Sequence, residues 1–585
     1  MSASSPVRRG LAAAVRPLRP VAVPAGLLGA VVLAVGCFLP WAAYAGFPGL
    51  MTLSGSPGGA RIYPLLLCLP SALLLLHLPG RVRAVRTAAA FALVITALTT
   101  LFIAYAGGGL VNVGSGVYVA LAGAVLYLLA ACALPSDPPG APVARTLPDA
   151  SWRTPVEWVV VVLAVGLALL VFVIGLGIGT ANIASGPDHK LLGAVSLNDL
   201  TNQGEFLTFL LFVTGAALVA GRTGLLATVG VMTKRWTALL VAAGFLAAIA
   251  FPLTQNGDGY SLRIAASIGV FAAAAVGLNI VVGLAGLLDL GYIAFFGVGA
   301  YVAALTSGSL TSVTGLHLPF GLVIVVGALT SGLFGVLLGA PTLRLRGDYL
   351  AIVTLGFGEI FRISVTNLDG SAGPSLTNGP NGVSNIPDLA LGGFSFGSNH
   401  TLFGIVLPFQ ANYYWLEIIL VAVVMTAFLR LAESRIGRAW VAIREDELAA
   451  AATGINTTRL KLLAFALGAT LAGAAGTVDA HVVKVAAPDS FTFLESALLL
   501  AAVILGGMGT VPGALLGATV LYLLPEKLRF LQDLRLLVFG IVLVLLMRFR
   551  PEGLVPSKRR QRELHDAEGS DALSAPPGSP MGAGA

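Results

Sequence analysis

The sequence predicts an all-α fold, a polytopic transmembrane helical bundle with about 14 to 16 membrane segments. Of its 585 residues, 57% are hydrophobic and 10% are charged, whereas a soluble domain is roughly 45 to 50% apolar. Apolar runs long enough to cross a bilayer recur along most of the chain. Each run is predicted to be a helix, because only a helix satisfies the backbone hydrogen bonds of a single spanning segment in lipid.

The first 235 residues contain two groups of these runs. Residues 1–135 are predicted to form an N-terminal membrane block of about four spans, and 157–235 adds two further spans. Between them, 136–156 is rich in proline, which predicts a cytoplasmic linker. The runs lie at about 21–45, 62–79, 87–107, 116–134, 157–179 and 204–220.

The remaining runs predict a second membrane domain over 236–555. The pair 493–510 and 511–524 is short, so these segments either cross the bilayer or re-enter it as half-helices. The tail 556–585 is polar and rich in small residues, which favours disorder on the cytoplasmic side. The runs of this part lie at about 236–253, 263–282, 284–306, 318–340, 349–365, 411–430, 462–479, 493–510, 511–524 and 533–549.

The distribution of basic residues predicts the orientation of the spans. Alternate segments between the spans contain most of the 34 Lys and Arg residues, and such an excess marks the cytoplasmic side. Both termini are therefore expected in the cytoplasm, with long outside loops at 180–203 and 366–410. The run 21–45 is long enough for a full span, which favours an uncleaved helix over a signal peptide cleaved after Ala45.

Several classes of function are disfavoured by the sequence. The net charge of +7 is scattered over the ends of apolar runs, which is typical of membrane orientation and does not indicate nucleic-acid binding. Cys37, Cys68 and Cys132 show no metal-ligand spacing. The sequence contains neither GxxxxGK[ST] nor HExxH, and we predict no ATP site, metal, cofactor or catalytic residue.

A charged, Ala-rich stretch at 435–456 interrupts the apolar pattern. Its apolar residues follow roughly helical spacing, which predicts a helix over 437–453. The mixed signs of its polar turn suit a protein surface better than anionic lipid, although an interfacial helix that only shields the bundle is the alternative. The polar turn consists of Arg444, Glu445, Asp446 and Glu447.

The end of this stretch resembles a known motif. The spacing Leu448-Ala449-Ala450-x-x-x-Gly454 resembles the EAA loop of ABC importer permeases, which is the short coupling helix that sits in a cleft of the ATPase subunit. The first position is Leu where that motif has Glu. Gly454 also offers a C-terminal stop for the helix, with Ile455 as an apolar contact beyond it.

Longer segments resemble the LivM-type permeases of branched-chain amino acid importers. RAWVAIREDELAAAATGIN is one of them, and others are GLNIVVGLAGLLDLGYIAFFGVGAYVAAL (277–305), LRLRGDYLAIVTLGFGEIFRI (343–363), NGPNGV (378–383) and LESALLLAAVILGGMGTVPGALLGA (494–518). The resemblance covers roughly 236–555. Residues 1–235 depart from the family pattern, and their role does not follow from it.

The resemblance implies an ABC importer permease fold over 236–555, with a coupling helix near 437–455. It also implies a multi-pass protein of the bacterial plasma (inner) membrane. The partners implied are ABC ATPase subunits, a LivH-type permease partner, an extracytoplasmic substrate-binding protein, membrane lipid and a small-molecule amino acid substrate. Transport would be driven by ATP hydrolysis in the separate subunits.

Two alternatives stay open. An ion-coupled secondary transporter of small polar solutes would bind H⁺ or Na⁺ through intramembrane carboxylates such as Asp289 and Glu359, but it leaves the helix near 437–455 unexplained. Related permeases of the same family carry urea, short amides or other amino acids, so the class of transport is clearer than the substrate.

Charged residues within the apolar runs are candidates for the translocation path or gate, because burying a charge in a bilayer is costly. Glu359 lies about ten residues, or roughly 15 Å, into its helix, and Arg362 is placed to form an i, i+3 ion pair with it. The pair is either structural or part of the path. Asp289 is expected in the first turn of a helix that starts near Leu284, where the helix dipole favours a carboxylate.

Glycines near Asp289 are further candidates. Gly286 and Gly291 belong to a group of glycines that either allow close helix packing or let a helix break so that its backbone binds a substrate. Glu417 and Glu495 lie near the outer ends of their runs, where we expect their side chains to extend towards water.

Overall fold

The structure is a computed structural model that describes most of the chain, with gaps. The described residues are 21–42, 58–75, 80–106, 109–135, 153–177, 190–191, 195–196, 204–255, 257–309, 315–342, 348–370, 376–391, 393–402, 405–527 and 553–555, with single residues between 537 and 548. Most of the predicted linker, of the loop 180–203 and of the final predicted span, together with the whole predicted tail, lies outside the described residues.

Helices dominate the described part of the chain. Eleven of them are long and apolar enough to cross a membrane, and three shorter apolar helices accompany them. This confirms the prediction of an all-α, polytopic bundle.

The chain divides into two compact units, most of the first lying within Met1–Phe251 and most of the second within Pro252–Glu526. The division falls inside helix α8, whereas the sequence predicts a permease domain that begins at 236. The helices of the first unit are α1 Ala22–Phe38, α2 Ile62–Leu66, α3 Arg81–Ala106, α4 Ser115–Ala133, α5 Arg153–Gly177, α6 Gly204–Arg222, α7 Leu225–Arg235 and α8 Thr237–Thr254.

Two predictions for the first unit are wrong. The run 62–79 is not one continuous α-helix, because α2 is followed by a separate 3₁₀ helix over Leu69–Leu74 whose second residue is proline, and proline does not continue a preceding helix. The predicted linker 136–156 is too long, since α5 already begins at Arg153.

Close approach of α1 and α4 forms the centre of the first unit. Gly29 lies against the backbone of Tyr127, where a Cβ would meet the Tyr127 nitrogen at 2.6 Å, and Gly36 lies against Ala120, where the distance would be 2.5 Å. Membrane helices associate through van der Waals packing, which small residues at the contact permit. These glycines therefore fix the distance between the two helices.

The second unit contains the remaining helices. They are α9 Gly259–Asn279, α10 Tyr292–Thr306, α11 Phe320–Thr342, α12 Asp348–Asn367, α13 Phe409–Glu433, α14 Arg435–Glu445, α15 Glu447–Ala452, α16 Thr457–Val483, α17 Phe493–Gly506 and α18 Val511–Lys527. A π-helical turn, Ile280–Leu284, continues α9.

Helix α9 lies at the centre of the second unit, since 83% of its apolar window is buried. Helix α16 packs against α10 and α11 through small residues and short hydrogen bonds. Ser331 donates to the carbonyl of Phe295 at 3.0 Å, and Thr477 donates to that of Gly299 at 3.2 Å. Small hydroxyl side chains thus join these helices where the backbones come close.

Short antiparallel strand pairs lie in the connections between the helices. The strands are β1 Lys190–Leu191, β2 Val195–Ser196, β3 Val383–Ser384, β4 Ala390–Leu391, β5 Phe394–Ser395, β6 His400–Leu402, β7 Ile405–Leu407 and β8 Val485–Ala486. The pairs are β1 with β2, β3 with β8, β4 with β5 and β6 with β7. All but the first pair involve the predicted outside loop 366–410, which β3 joins to the end of α16.

Candidate functional site

The charged segment, which we define as residues 435–455, consists of two helices. The prediction of one continuous helix over 437–453 is wrong, because α14 ends at Glu445 and α15 begins at Glu447. Asp446 between them is extended, with φ −150°, and its carboxylate accepts hydrogen bonds from the amides of Leu448 and Ala449 at 2.9 and 3.0 Å. An Asp that caps the next helix ends the previous one.

Buried and ion-paired side chains hold the charged segment against the bundle. Trp440 is fully buried, and its indole nitrogen donates to the carbonyl of Leu460 at 2.7 Å. Glu447 forms an ion pair with Lys461 at 2.7 Å. Both contacts are made with the first turns of α16, so the segment is attached to that end of α16.

The end of α15 is as predicted. Gly454 has φ +87°, and its amide donates to the carbonyl of Ala451 at 3.0 Å while the amide of Ile455 donates to that of Ala450 at 3.2 Å. These two bonds form the Schellman motif, which needs a left-handed residue and is most often closed by glycine.

One face of α15 is exposed and mainly apolar. Leu448 is 69% exposed, and Ala449, Ala451 and Ala452 are exposed beside it. Ala450 is buried and faces the bundle. A rigid, small-residue face with one protruding Leu is suited to contact with another protein.

Helix α9 ends in an irregular segment that we call the first break, residues 280–291. The π-helical turn is followed by non-helical backbone until α10 begins at Tyr292. Gly286 within it has φ +72°, which glycine adopts without the steric cost that other residues carry. A broken helix inside a membrane protein exposes backbone groups that need partners from the protein itself.

A second break, residues 507–510, separates α17 from α18. It meets the end of α9 at Asn279, the residue just before the first break, whose side chain is fully buried. The Asn279 amide oxygen accepts from the amide of Gly509 at 2.8 Å, and its nitrogen donates to the carbonyl of Thr510 at 3.0 Å. The predicted alternative of two half-helices at 493–524 fits this geometry, since α17 and α18 are short and joined by a tight turn.

Arg444 joins the charged segment to the first break. Its guanidinium donates to the carbonyl of Gly283 at 2.6 Å. Its side chain also lies over Gly286, where an added Cβ would meet the Arg444 Cγ at 2.5 Å. A cation at the carbonyl end of a helix is stabilised by the helix dipole, so this contact fixes the end of α9 to α14.

Asp289 does not lie in the first turn of a helix, so that prediction is wrong. It lies in the first break and is fully buried, and its carboxylate accepts from the amide of Gly291 at 2.9 Å. The amide of the neighbouring Leu290 is bound by the Thr354 hydroxyl at 3.0 Å. Gly291 packs directly on the carbonyl of Thr354, so this part of the break rests on α12.

The predicted ion pair on α12 is confirmed. The Arg362 Nε and the Glu359 carboxylate lie 2.9 Å apart, and both side chains are about one-third exposed. Neighbouring residues such as Ile360 and Ile363 are more than half exposed. The pair is thus separate from the first break and lies at the edge of an uncovered face of α12.

The expectation that Glu417 extends towards water is wrong. Glu417 on α13 is completely buried, and neither carboxylate oxygen has a hydrogen-bond partner. Glu495 on α17 is half-buried and lines a cavity with Asp479. In the sequence, Asp479 lies at the end of an apolar run. This position marks it as an acid near a membrane span, but it does not reveal which way the side chain points.

Two further features bear on chemistry. Gly393–Gly397 reads GFSFG, so the GxSxG spacing of a hydrolase nucleophile elbow does occur in the sequence, and the expectation that it is absent is wrong. The structure places Ser395 in the β4–β5 pair, whereas an elbow joins a strand to a helix. Among the described residues, no group of three or more His, Cys, Asp and Glu side chains is arranged to hold a metal ion.

Comparison with known proteins finds similarity mainly to the part of the chain that contains these features. The family described as the permease component of branched-chain amino acid transport systems matches residues 260–547. The LivM permease protein of the high-affinity branched-chain amino acid transport system of Escherichia coli K12 is 39% identical over 375 residues, which is 62% of this chain and 85% of the relative.

Two further relatives extend this comparison. The LivM protein of Salmonella typhimurium is 40% identical over 342 residues, or 56% of this chain and 77% of the relative. The LivH permease protein of the same organism is 35% identical over 147 residues, or 25% of this chain and 46% of the relative. No solved structure matches the chain.

Proposed function

We propose that this chain, which belongs to the family of branched-chain amino acid transport permeases, is the membrane-spanning subunit of an ABC importer for branched-chain amino acids. It is a multi-pass membrane protein. ATP would be hydrolysed in separate subunits, because the sequence has no GxxxxGK[ST] segment with which to bind nucleotide phosphates.

The observation that carries this proposal is the contact between the charged segment and the first break. The exposed face of α15 provides a docking surface for an ATPase subunit, with Arg444 to Glu447 at its start and Gly454 and Ile455 at its end. Arg444 binds the Gly283 carbonyl directly. Displacement of the segment by the ATPase would therefore move the end of α9 without an intermediate element.

The first break is the proposed gate. It has two discrete supports, the Arg444 guanidinium at Gly283 on one side and Asp289 with Gly291 on the other. Packed elements of this kind switch between arrangements and do not deform continuously. Glu359 and Arg362 would face the translocation path or a second permease subunit, since an ion pair that is about one-third exposed in a membrane helix needs a polar neighbour.

The partners follow from the family. LivM and LivH are both named as permease proteins of one kind of transport system, so we propose a LivH-type subunit as the second permease. An extracytoplasmic binding protein would deliver substrate to the outer loops, and both termini would lie in the cytoplasm of a bacterial cell. Membrane lipid would contact the uncovered faces of the helices.

The test is ATP-driven uptake of labelled leucine in proteoliposomes that contain this chain, an ATPase pair, a LivH-type permease and a binding protein. Arg444→Met keeps much of the length of the side chain but removes its charge and its hydrogen bond to Gly283. We expect uptake to fall about tenfold or more, because a charge-assisted bond is lost, while ATP hydrolysis continues. The result would be uncoupled turnover.

Arg438→Met is the matched control. Arg438 lies on the same helix, but its guanidinium donates to the carbonyl of Glu433 and not to the first break. Uptake should stay near the wild-type value in this variant. Wild-type uptake that ignores ATP and follows a proton or sodium gradient would instead establish the secondary transporter, and equal effects of the two variants would refute the role of Arg444.

A further inference from the structure

A partly open cavity of about 160 Å³ lies in the second unit. It is formed between α9, α10, α16, α17 and α18. Its volume is below the roughly 300 to 1,000 Å³ of sites for drug-sized ligands, so its occupant has few heavy atoms. Its lining residues are Ser267, Val270, Phe271, Ala274, Ile293, Phe296, Asp479, Val483, Ser490, Phe491, Glu495, Leu499 and Tyr522.

Two carboxylates point into this cavity without partners. Neither Asp479 nor Glu495 has a side-chain hydrogen bond or ion pair to any part of the chain that the structure describes. The fully buried Glu417 lies close enough to interact electrostatically with Asp479, and its own oxygens are also unpartnered. One buried and two partly buried acids, with no ion pair to any described residue, are unfavourable inside a membrane bundle unless a positive group joins them.

The rest of the lining favours an organic cation. The rings of Phe296 and Phe491 lie 6.4 Å apart, and those of Phe271 and Tyr522 lie 5.7 Å apart. Aromatic faces attract ammonium groups, whereas a bare metal ion requires several oxygen ligands around it. The aliphatic residues of the lining offer an apolar surface for a side chain of the bound molecule.

A second cavity of about 220 Å³ continues the first towards the predicted outside. Both cavities share Val483, and successive turns of α9 line them in order. The second cavity has the opposite charge, because Arg263 and Lys484 line it, although Lys484 is also ion-paired with Asp388 at 2.8 Å. The amide oxygen of Gln410 in this lining is buried without a hydrogen-bond partner.

We propose that these two cavities form a binding site for a zwitterionic amino acid, with the ammonium group held by Asp479 and Glu495 and the carboxylate directed towards Arg263. The proposal rests on the proposed transport function and assigns the residues that hold its substrate. It requires a charged amine, and therefore excludes urea and short amides as the preferred substrates. A neutral amide has no positive charge to compensate the two carboxylates.

The first experiment is protection from chemical modification in the reconstituted wild-type transporter. A hydrophobic carbodiimide modifies buried carboxyl groups, and mass spectrometry measures its reaction at Asp479 and Glu495. We expect millimolar leucine to slow modification of both residues about fivefold or more, because the bound ammonium occupies them. 4-Methylpentanoate, which is leucine without its amino group, should give no protection, and neither should urea.

The second experiment measures leucine uptake by Asp479→Asn and Glu495→Gln. Each is nearly isosteric, and we expect each to raise the apparent KM for leucine about tenfold through loss of a charge-assisted bond. Asp489→Asn is the matched control, since Asp489 is exposed next to the lining residue Ser490 but does not line the cavity. Its KM should not change.

The outcomes separate this proposal from the proposed function. If wild-type transporter imports leucine with ATP but leucine gives no protection, or 4-methylpentanoate protects equally, the zwitterion site is refuted and the importer stands. Protection by urea in place of leucine would also overturn the site as proposed. If the wild type imports no leucine with ATP, the proposed function itself fails.

Discussion

At the scale of single residues, the site depends on polar side chains that bind backbone groups across breaks in helices. Asn279 binds the second break on both its donor and acceptor sides, and Arg444 binds the end of the π-helical turn. Lipid offers no hydrogen bonds to an irregular backbone, so such groups must be satisfied by the protein. One side chain can therefore decide the conformation of a break.

Asn279→Leu tests this at the residue scale. Leucine has a similar size but leaves the Gly509 amide and the Thr510 carbonyl without their partner, which costs about 1 to 3 kcal/mol for each buried group. We expect a lower midpoint of thermal unfolding in detergent, measured by fluorescence-detected size exclusion. Asn367→Leu, on an exposed Asn near the end of α12, should leave the midpoint unchanged; equal midpoints for both variants would contradict the proposed support.

At the scale of elements, the protein combines closely packed helices with helices that are interrupted by irregular backbone. Helices α1 and α4 approach through glycines, and α16 does the same with α10 and α11. In contrast, α9 and α10 are separated by the first break, and α14 and α15 by Asp446. Closely packed helix pairs resist separation, so we expect motion mainly at the first break and at the junction of α14 and α15.

Gly29→Val tests the close pair in the first unit. The added side chain would meet the Tyr127 backbone, and backbone cannot move aside as a flexible side chain can. We expect a loss of about 1 to 3 kcal/mol in the free energy of unfolding, seen as faster proteolysis of the first unit. Gly244→Val on α8 is the control, because a Cβ there meets no atom within 4 Å; similar proteolysis of the two variants would show that α1 and α4 tolerate separation.

At the scale of the whole molecule, the chain contains two compact units with separate cores. The family match begins at residue 260 and lies on the second unit. The positions of the charged segment and of the outer strand pairs predict which end of the second unit faces the cytoplasm. That orientation decides which face of the protein meets an ATPase and which meets a binding protein.

Reporter fusions test the orientation. Green fluorescent protein at either terminus should fluoresce, because both termini are predicted to be cytoplasmic by the excess of basic residues on that side. Alkaline phosphatase inserted at Gly397, in the loop that carries β4 to β7, should be active outside. Active phosphatase at either terminus would reverse the topology and with it the assignment of the charged segment to the ATPase side.

The sequence by itself determined the helical membrane fold, the α15 stop at Gly454 and the ion pair of Glu359 with Arg362. Each of these follows from local rules: the length of an apolar run, the left-handed preference of glycine and the spacing of side chains three residues apart on a helix. The resemblance carried by residues 435–456 and the other quoted segments also pointed to the family that the comparisons show.

Only the tertiary structure decided how distant residues meet. Arg444 and Gly283 are 161 positions apart, and Asn279 and Gly509 are 230 apart, so no periodicity relates them. The direction of Glu417 and Asp479 was equally hidden, because an acid near the end of an apolar run faces either water or the bundle depending on its neighbours. Long-range packing makes that choice, and a single sequence contains no local signal for it.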